Sequence, residues 1–328
     1  MAIANGKTNF KKVQEFNRAF DMAPKEPAEY LAGEIDEFGR PEFSAFLHSR
    51  ANLLIEQPKL IRLRLDLIKE ELSELQTAIA ANDFIEIRDA LADILYVVYG
   101  MGDVLGINMD VLVQDLVKSQ IPRTISNNLQ VGLKIFDGIN KYANQDETNG
   151  RPLGLTNWNW VQIYMDSFPS AFCAGLLEQS NDSNGSSNIE RDKLVAEMVK
   201  ILTYLEKLCF GDNSSSSSSS LNNTNLLETI GDNLAKLIIL DYTYSYLMDI
   251  DADGDFAIVH TSNMSKLCDT ETDAIATVDD YEAKYRTGAS PYDSPYYYAL
   301  PELGKWIVKN KSTGKALKNI KYQKVVFA

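Results

Sequence analysis

From Leu60 to Leu116 the apolar residues recur at intervals of three and four, the pattern of helices that each bury one face. Two interruptions divide this stretch, at Asn82-Asp83 and around Gly102 to Asn108, where helix-ending residue types gather. The first predicted helix reads Arg64-Leu-Asp-Leu-Ile-Lys-Glu70-Glu71-Leu-Ser-Glu74-Leu, and the second reads Glu86-Ile-Arg-Asp89-Ala-Leu-Ala-Asp93-Ile-Leu-Tyr. Leu67, Ile68, Leu72 and Leu75 leave the first helix little room for a wholly exposed face. The C-terminal part changes character. Tyr281 through Tyr298 is rich in tyrosine and proline, and Lys305 through Lys318 reads as a β-hairpin turning near Ser312-Thr-Gly314.

The helical pattern returns later in the chain. Asp89-Ala-Leu-Ala aligns with Asp232-Asn-Leu-Ala, Gly106 to Asp110 aligns with Asp249 to Asp253, and Val117 to Arg123 falls on His260 to Lys266. The offset is 143 throughout (232 minus 89, 262 minus 119), which coincidence explains poorly. Upstream, Arg64 through Leu75 aligns with Arg191 through Leu202 at an offset of 127 (191 minus 64), so the second pair of helices carries an insertion. A polar, low-complexity run of serines at 214 to 220 supplies it, in a loop near 211–225. This predicts three parts: a first repeat over 1–125, a second over 126–266 whose opening helices fall in 126–180, and a C-terminal extension over 267–328.

The acids carry the candidate chemistry. Spacings of three and four place Glu71 with Glu74, Glu70 with Glu74, Glu86 with Asp89, and Asp89 with Asp93 on shared helix faces. Like charges so placed repel by roughly 0.3 kcal/mol per pair in a lone helix, and the cluster asks for a compensating cation. Hard carboxylate oxygens suit magnesium, with manganese as an alternative, and an octahedral ion retains sites for water and phosphate oxygens. Two such ions could activate a water and neutralise phosphate charge, with Glu70 or Glu71 taking the water's proton. The second repeat does not keep this set. Glu71 becomes Met198, Glu74 becomes Ile201, Glu86 becomes Thr229 and Asp93 becomes Lys236, while Glu197 and Asp232 keep the places of Glu70 and Asp89.

Composition narrows the partners. The 32 basic against 46 acidic residues give a net charge of -14, which argues against nucleic acid or an anionic membrane, whereas bound metal ions would turn an acidic locus toward a small polyanion. Cys173, Cys209 and Cys268 are scattered and suggest neither a disulfide framework nor zinc, and with no signal-like or membrane-spanning apolar run the expectation is a reducing, cytoplasmic setting. Asp249-x-Asp251-x-Asp253-Gly254-Asp255 resembles the opening of a calcium loop, but its twelfth position is His260 rather than glutamate.

Glu70-Glu71-x-x-Glu74, Glu86-x-x-Asp89, and Asp89-Ala-Leu-Ala-Asp93-Ile-Leu-Tyr-Val-Val-Tyr-Gly100, with Val259 to Lys266 in the second repeat, resemble the all-alpha nucleoside triphosphate pyrophosphohydrolase superfamily, in its phosphoribosyl-ATP pyrophosphohydrolase-like or MazG-like branch. The resemblance implies an all-α helical bundle, here of two tandem repeats with a short C-terminal β-hairpin. It further implies that Glu70, Glu71, Glu74, Glu86 and Asp89 bind magnesium with Asp93 beside them. The implied reaction splits a nucleotide between its α and β phosphates, giving a monophosphate and pyrophosphate. A deoxynucleotide such as dUTP or a noncanonical triphosphate is one substrate; phosphoribosyl-ATP is the alternative, and a silent nucleotide sensor is a reading of another class.

Members of the superfamily usually dimerise. In this chain the acidic motif persists only in the first repeat and Ser262-Asn-Met-Ser-Lys266 only in the second, where the first has Ser119-Gln-Ile-Pro-Arg123. This reciprocal loss predicts a fused pseudo-dimer, monomeric or paired again, with one composite site. Arg64, Ser262, Asn263 and Lys266 are the candidates to contact substrate, and Lys315 and Lys318 could reach phosphates from the tail.

Overall fold

The computed structural model describes residues 8–22, 32–35, 41–43, 53–113, 116–117, 191–211 and 223–327. The serine run at 214–220, the segment 126–180 and Ser119 to Arg123 lie outside the described residues. In chain order the elements are α1 (Asn9–Ala19), β1 (Ala32–Ile35), β2 (Pro41–Phe43), α2 (Leu53–Glu56), α3 (Pro58–Ala81), α4 (Phe84–Leu105), α5 (Arg191–Phe210), α6 (Asn223–Leu247), α7 (Ala252–Met264), α8 (Glu271–Arg286), β3 (Pro295–Leu300) and β4 (Lys305–Asn310). The predicted all-α class with a small C-terminal hairpin is what the chain adopts.

The break at Asn82-Asp83 is a tight reversal between α3 and α4. Asn82 ends α3 in the left-handed region at φ 52°, and the Asp83 side chain caps α4 by accepting from the backbone N–H of Ile85 at 3.1 Å and Glu86 at 3.2 Å. Gly106, at φ 73°, ends α4 in the same conformation. The reversal folds α3 back along α4, so the acids of the two helices share one groove.

α4 is the central helix. It packs against α1, α3, α6 and α7, and it is buried along most of its length beyond Ala90, as an apolar run of this kind requires. The α5–α6 pair lies against α3–α4, with α5 on α3 and α6 on α4. Ile68, Leu72 and Leu75 from α3, Leu91, Ile94, Leu95 and Val98 from α4, and Met198, Ile201, Leu234 and Ile238 from the second pair belong to one continuous core.

The C-terminal hairpin departs from the expectation in its pairing. β4 pairs antiparallel not with the residues after Gly314 but with the tyrosine-rich β3, in register from Pro295↔Asn310 to Leu300↔Lys305. The turn at 311–313 does occur, with Gly314 at φ 70°, yet its return arm contributes only an isolated bridge, Lys309↔Ala316. Tyr296, Tyr297 and Tyr298 supply the aromatic residues that strands favour, so they outcompete the lysine-rich arm as partner. The short antiparallel pair β1–β2 was not foreseen. Among the described residues, no helix is long and apolar enough to cross a membrane.

Candidate active site between two helices and a tail

Each of the six acids lies on the α3–α4 pair, in graded exposure. Glu70, Glu74 and Glu86 are exposed, whereas Glu71, Asp89 and Asp93 are half-buried. Burial first, and then the charges of Asp93, Glu74, Glu70 and Asp89, push the Glu71 carboxyl up to about 8. Asp93 is pushed up to about 7 by burial and by Asp89, with Lys266 opposing. Asp89 is raised by burial, Glu86, Glu74 and Asp255. Acids from both helices therefore feel one another across the groove.

A divalent cation suits this donor set. Among the described residues, buried Asp89 Oδ1 has no hydrogen-bond partner, an oxygen that costs free energy unless something coordinates or donates to it. Among the described residues, no three acidic, histidine or cysteine side chains converge tightly enough to form a ready-made cage. Closing one requires rotamer changes in the exposed Glu70, Glu74 and Glu86, whose long side chains are free to make them.

α7 brings basic and polar groups to the Asp93 end of the groove. Lys266 Nζ donates to Asn263 Oδ1 at 2.6 Å and lies 5.7 Å from the Phe16 ring centroid. Its ammonium pKa is lowered by burial, raised by Asp93, and lowered by Lys318 and Lys315. The tail residues Lys315 and Lys318 thus stand close to Lys266, in the turn after α7. Asn263 also bonds the hydroxyl of Tyr96, a buried residue whose hydroxyl shares a 3.0 Å hydrogen bond with His260 Nδ1.

Two predicted substrate contacts are committed elsewhere. Ser262 is buried; its Oγ donates to the Gln323 carbonyl at 2.8 Å and lies 3.0 Å from the Tyr322 hydroxyl, so it fastens the C-terminal tail to α7. Arg64 is buried two turns along α3 from Glu71, beneath α1. It donates to the Met22 carbonyl at 2.8 Å and Asn17 Oδ1 at 3.3 Å, and burial lowers its pKa to about 10 against the charge of Asp103. Its guanidinium also fills the space at Gly100, where a Cβ would come within 2.9 Å of one terminal nitrogen. α1 covers that part of α3, and Arg64 anchors the end of α1.

Sequence reasoning missed the ion pair that fixes α7 beside α4. Arg88 donates to both oxygens of Asp255, from Nε at 2.8 Å and a terminal nitrogen at 2.7 Å, with Asp255 only 2% exposed. The fork geometry orients α7 relative to Asp89, the next residue along α4. The one available signal was Arg88 itself, a lone cation between Glu86 and Asp89. The calcium-loop look-alike dissolves in the same way: Asp251 caps α7 by accepting from Gly254 N–H at 3.0 Å, and Asp253 accepts from Asn9 at 2.7 Å and Tyr242 at 2.9 Å.

Comparison with known proteins bears on the same residues. Residues 42–120 match the family model described as phosphoribosyl-ATP pyrophosphohydrolase, a span that includes all six acids. An uncharacterized protein of Acanthamoeba polyphaga mimivirus is 29% identical over 323 residues, covering 97% of this chain and 93% of its own length. No solved structure matches the chain. The α3–α4 hairpin with its flanks is thus similar to the phosphoribosyl-ATP pyrophosphohydrolases, within the superfamily that its acidic motifs indicated.

Proposed function

We propose that the protein is a magnesium-dependent nucleoside triphosphate pyrophosphohydrolase, cleaving between the α and β phosphates at one composite site per chain. The matched family model supports a pyrophosphohydrolase activity in general. The observation that carries the finer reading is the juxtaposition of six carboxylates on α3–α4 with Lys266, from the turn after α7 about 170 positions further on, within electrostatic reach of Asp93.

The composite nature of the site rests on a fused pseudo-dimer, which one geometric relation supports. In a two-fold assembly, equivalent residues meet at the axis. Tyr99 and Tyr242, equivalent at the 143-residue offset (242 minus 99), face each other with hydroxyls 3.5 Å apart. Asp110 and Asp253, equivalent at the same offset, sense each other's charge, and Asp110 is pushed up to about 6 mainly by burial.

Glu70, Glu71, Glu74, Glu86 and Asp89 would hold the magnesium, with Asp93 beside them. When bound, such ions neutralise phosphate charge and acidify a coordinated water. Glu70 or Glu71 would accept the proton of the attacking water; burial and acidic neighbours keep the Glu71 carboxyl protonated up to about 8, and the charge of a bound ion would return it to the carboxylate form that a base needs. Lys266 donates to phosphate oxygens, oriented by Asn263, which Tyr96 holds in turn. The net charge of -14 favours a small nucleotide over nucleic acid.

The test is pyrophosphate release across a panel of ribo- and deoxynucleoside triphosphates, dUTP and phosphoribosyl-ATP included, with magnesium, and Glu74→Ala as control. Release that needs both magnesium and Glu74 is the expected result. Binding without turnover on every nucleotide would replace the enzyme with a nucleotide sensor.

A further inference from the structure

The chain after β4 does not end at the hairpin. It runs back along α7 and is tied down at each step: Asn319 Nδ2 donates to the Leu267 carbonyl at 2.8 Å, Gln323 N–H donates to Ser265 Oγ at 2.9 Å, and Ser262 holds Tyr322 and Gln323. Val325 and Phe327 then pack against the main core, with Arg88 4.8 Å from the centroid of the Phe327 ring. Since Arg88 precedes Asp89 and Lys266 reaches toward Asp93, this strap follows the acidic edge of α4 from one end of the groove to the other.

Of Lys315, Lys318 and Lys321, the last is paired with Asp273 at 2.7 Å, which leaves Lys315 and Lys318. Lys315 and Lys318 are exposed, near enough to Lys266 to repel its charge, and among the described residues neither forms an ion pair. Lys315 Nζ lies 5.8 Å from the Tyr292 ring centroid and Lys318 Nζ 4.5 Å from that of Tyr322, so each ammonium group is held over a ring face and keeps the N–H bonds turned away from that ring as donors. Asp93 is the acid that faces Lys266, the innermost of the three. Three like charges gathered at one end of a groove call for a polyanion, as the six acids call for cations.

We propose that residues 315–327 form the polyphosphate-holding wall of the site, with Lys315 and Lys318 joining Lys266 on the pyrophosphate end of the substrate and the nucleoside directed toward the Asn82-Asp83 turn. This rests on the function proposed above, and it adds direction: pyrophosphate is the product that the strap retains. Release of that product depends on the strap.

Binding of inorganic pyrophosphate in the presence of magnesium, measured by calorimetry on the full chain, tests this together with steady-state hydrolysis. The variant K315Q/K318Q is expected to weaken pyrophosphate binding by about tenfold or more, one charge-assisted contact's worth. Inhibition by the nucleoside monophosphate is expected to stay unchanged, and Lys311→Ala, on the neighbouring turn, is expected to behave as wild type. The charge-keeping pair K315R/K318R should retain binding, which separates a lost charge from a disturbed strap. Undiminished pyrophosphate affinity in K315Q/K318Q, or equal loss in K315R/K318R, overturns the proposal even if the enzyme hydrolyses nucleotides. Conversely, a chain that hydrolyses none of them yet loses pyrophosphate binding in K315Q/K318Q keeps the strap and discards the enzyme.

Discussion

The α3–α4 and α5–α6 hairpins occupy matching places around one core, yet only one of them is chemically equipped. Where α3 carries the half-buried Glu71 and the exposed Glu74, α5 carries Met198 and Ile201, 0% and 7% exposed, which have joined the core. Where α4 carries Asp93, α6 carries Lys236, which opposes the upward push of burial on Asp232. The interior differs in the reverse sense. α6 buries Asp241 completely, and among the described residues neither its carboxylate oxygens nor Ser245 Oγ one turn later has a hydrogen-bond partner, whereas the matching positions in α4 are Val98 and Gly102. A helix position on such a hairpin is thus core or site according to what its neighbours neutralise; the backbone does not decide.

Exchanging equivalent acids is the severest way to break that comparison. Asp89→Asn is expected to lower hydrolysis by at least about a hundredfold, as removing a metal-holding group does, while Asp232→Asn stays within about twofold. Steady-state rates on the same nucleotide check the pair, and equal losses would mean that the second hairpin is also catalytic.

Next in size is the joint between the two halves. Arg88→Met leaves the carboxylate of Asp255 buried without its partner and should cost about 3–5 kcal/mol in urea unfolding. A loss below about 1 kcal/mol would show that this fork does not hold α7 to α4.

Asp241→Val should move stability the other way. Giving α6 the residue that α4 has at the matching position removes a buried carboxyl raised well above its ordinary value, and a gain of about 1–3 kcal/mol is expected. Destabilisation by the same variant would mean that Asp241 has a partner in the working protein.

The smallest effect is a pH dependence. Glu71 and Asp93 keep protons up to about 8 and about 7 in the folded chain, above ordinary carboxylates, so between roughly pH 4.5 and 8 the folded state binds more protons than the unfolded one. Stability in chelator should therefore fall as pH rises through that window. Magnesium, binding only the ionised folded site, should restore a few degrees of melting temperature at about pH 8 and less at about pH 5. A magnesium shift that is the same at both pH values would place the ion away from these acids.

Much of this arrangement was legible in the residues. Asn82-Asp83 announced the reversal because a left-handed cap followed by an aspartate cap is local chemistry, and the acids announced themselves because spacing alone puts them on one face. Arg64 shows the limit. Periodicity gives the face of a helix but not the segment that covers it, and α1 lies about 50 positions upstream of Arg64. The Arg88–Asp255 fork spans 167 positions and leaves no local trace. The hairpin was misassigned because a glycine turn was present on both sides of β4, and the choice between two partners depended on which strand packed its tyrosines better.

Tyr99 and Tyr242 touch across what two separate subunits would share as a mirrored contact. In an assembly of identical chains any change there strikes twice, at once and on both sides. Joined in one polypeptide, each tyrosine can change alone, as can the company it keeps, such as the 2.9 Å bond from Tyr242 to Asp253. Such freedom would let one half be spent on binding while the other remained the workshop, the division of labour proposed above.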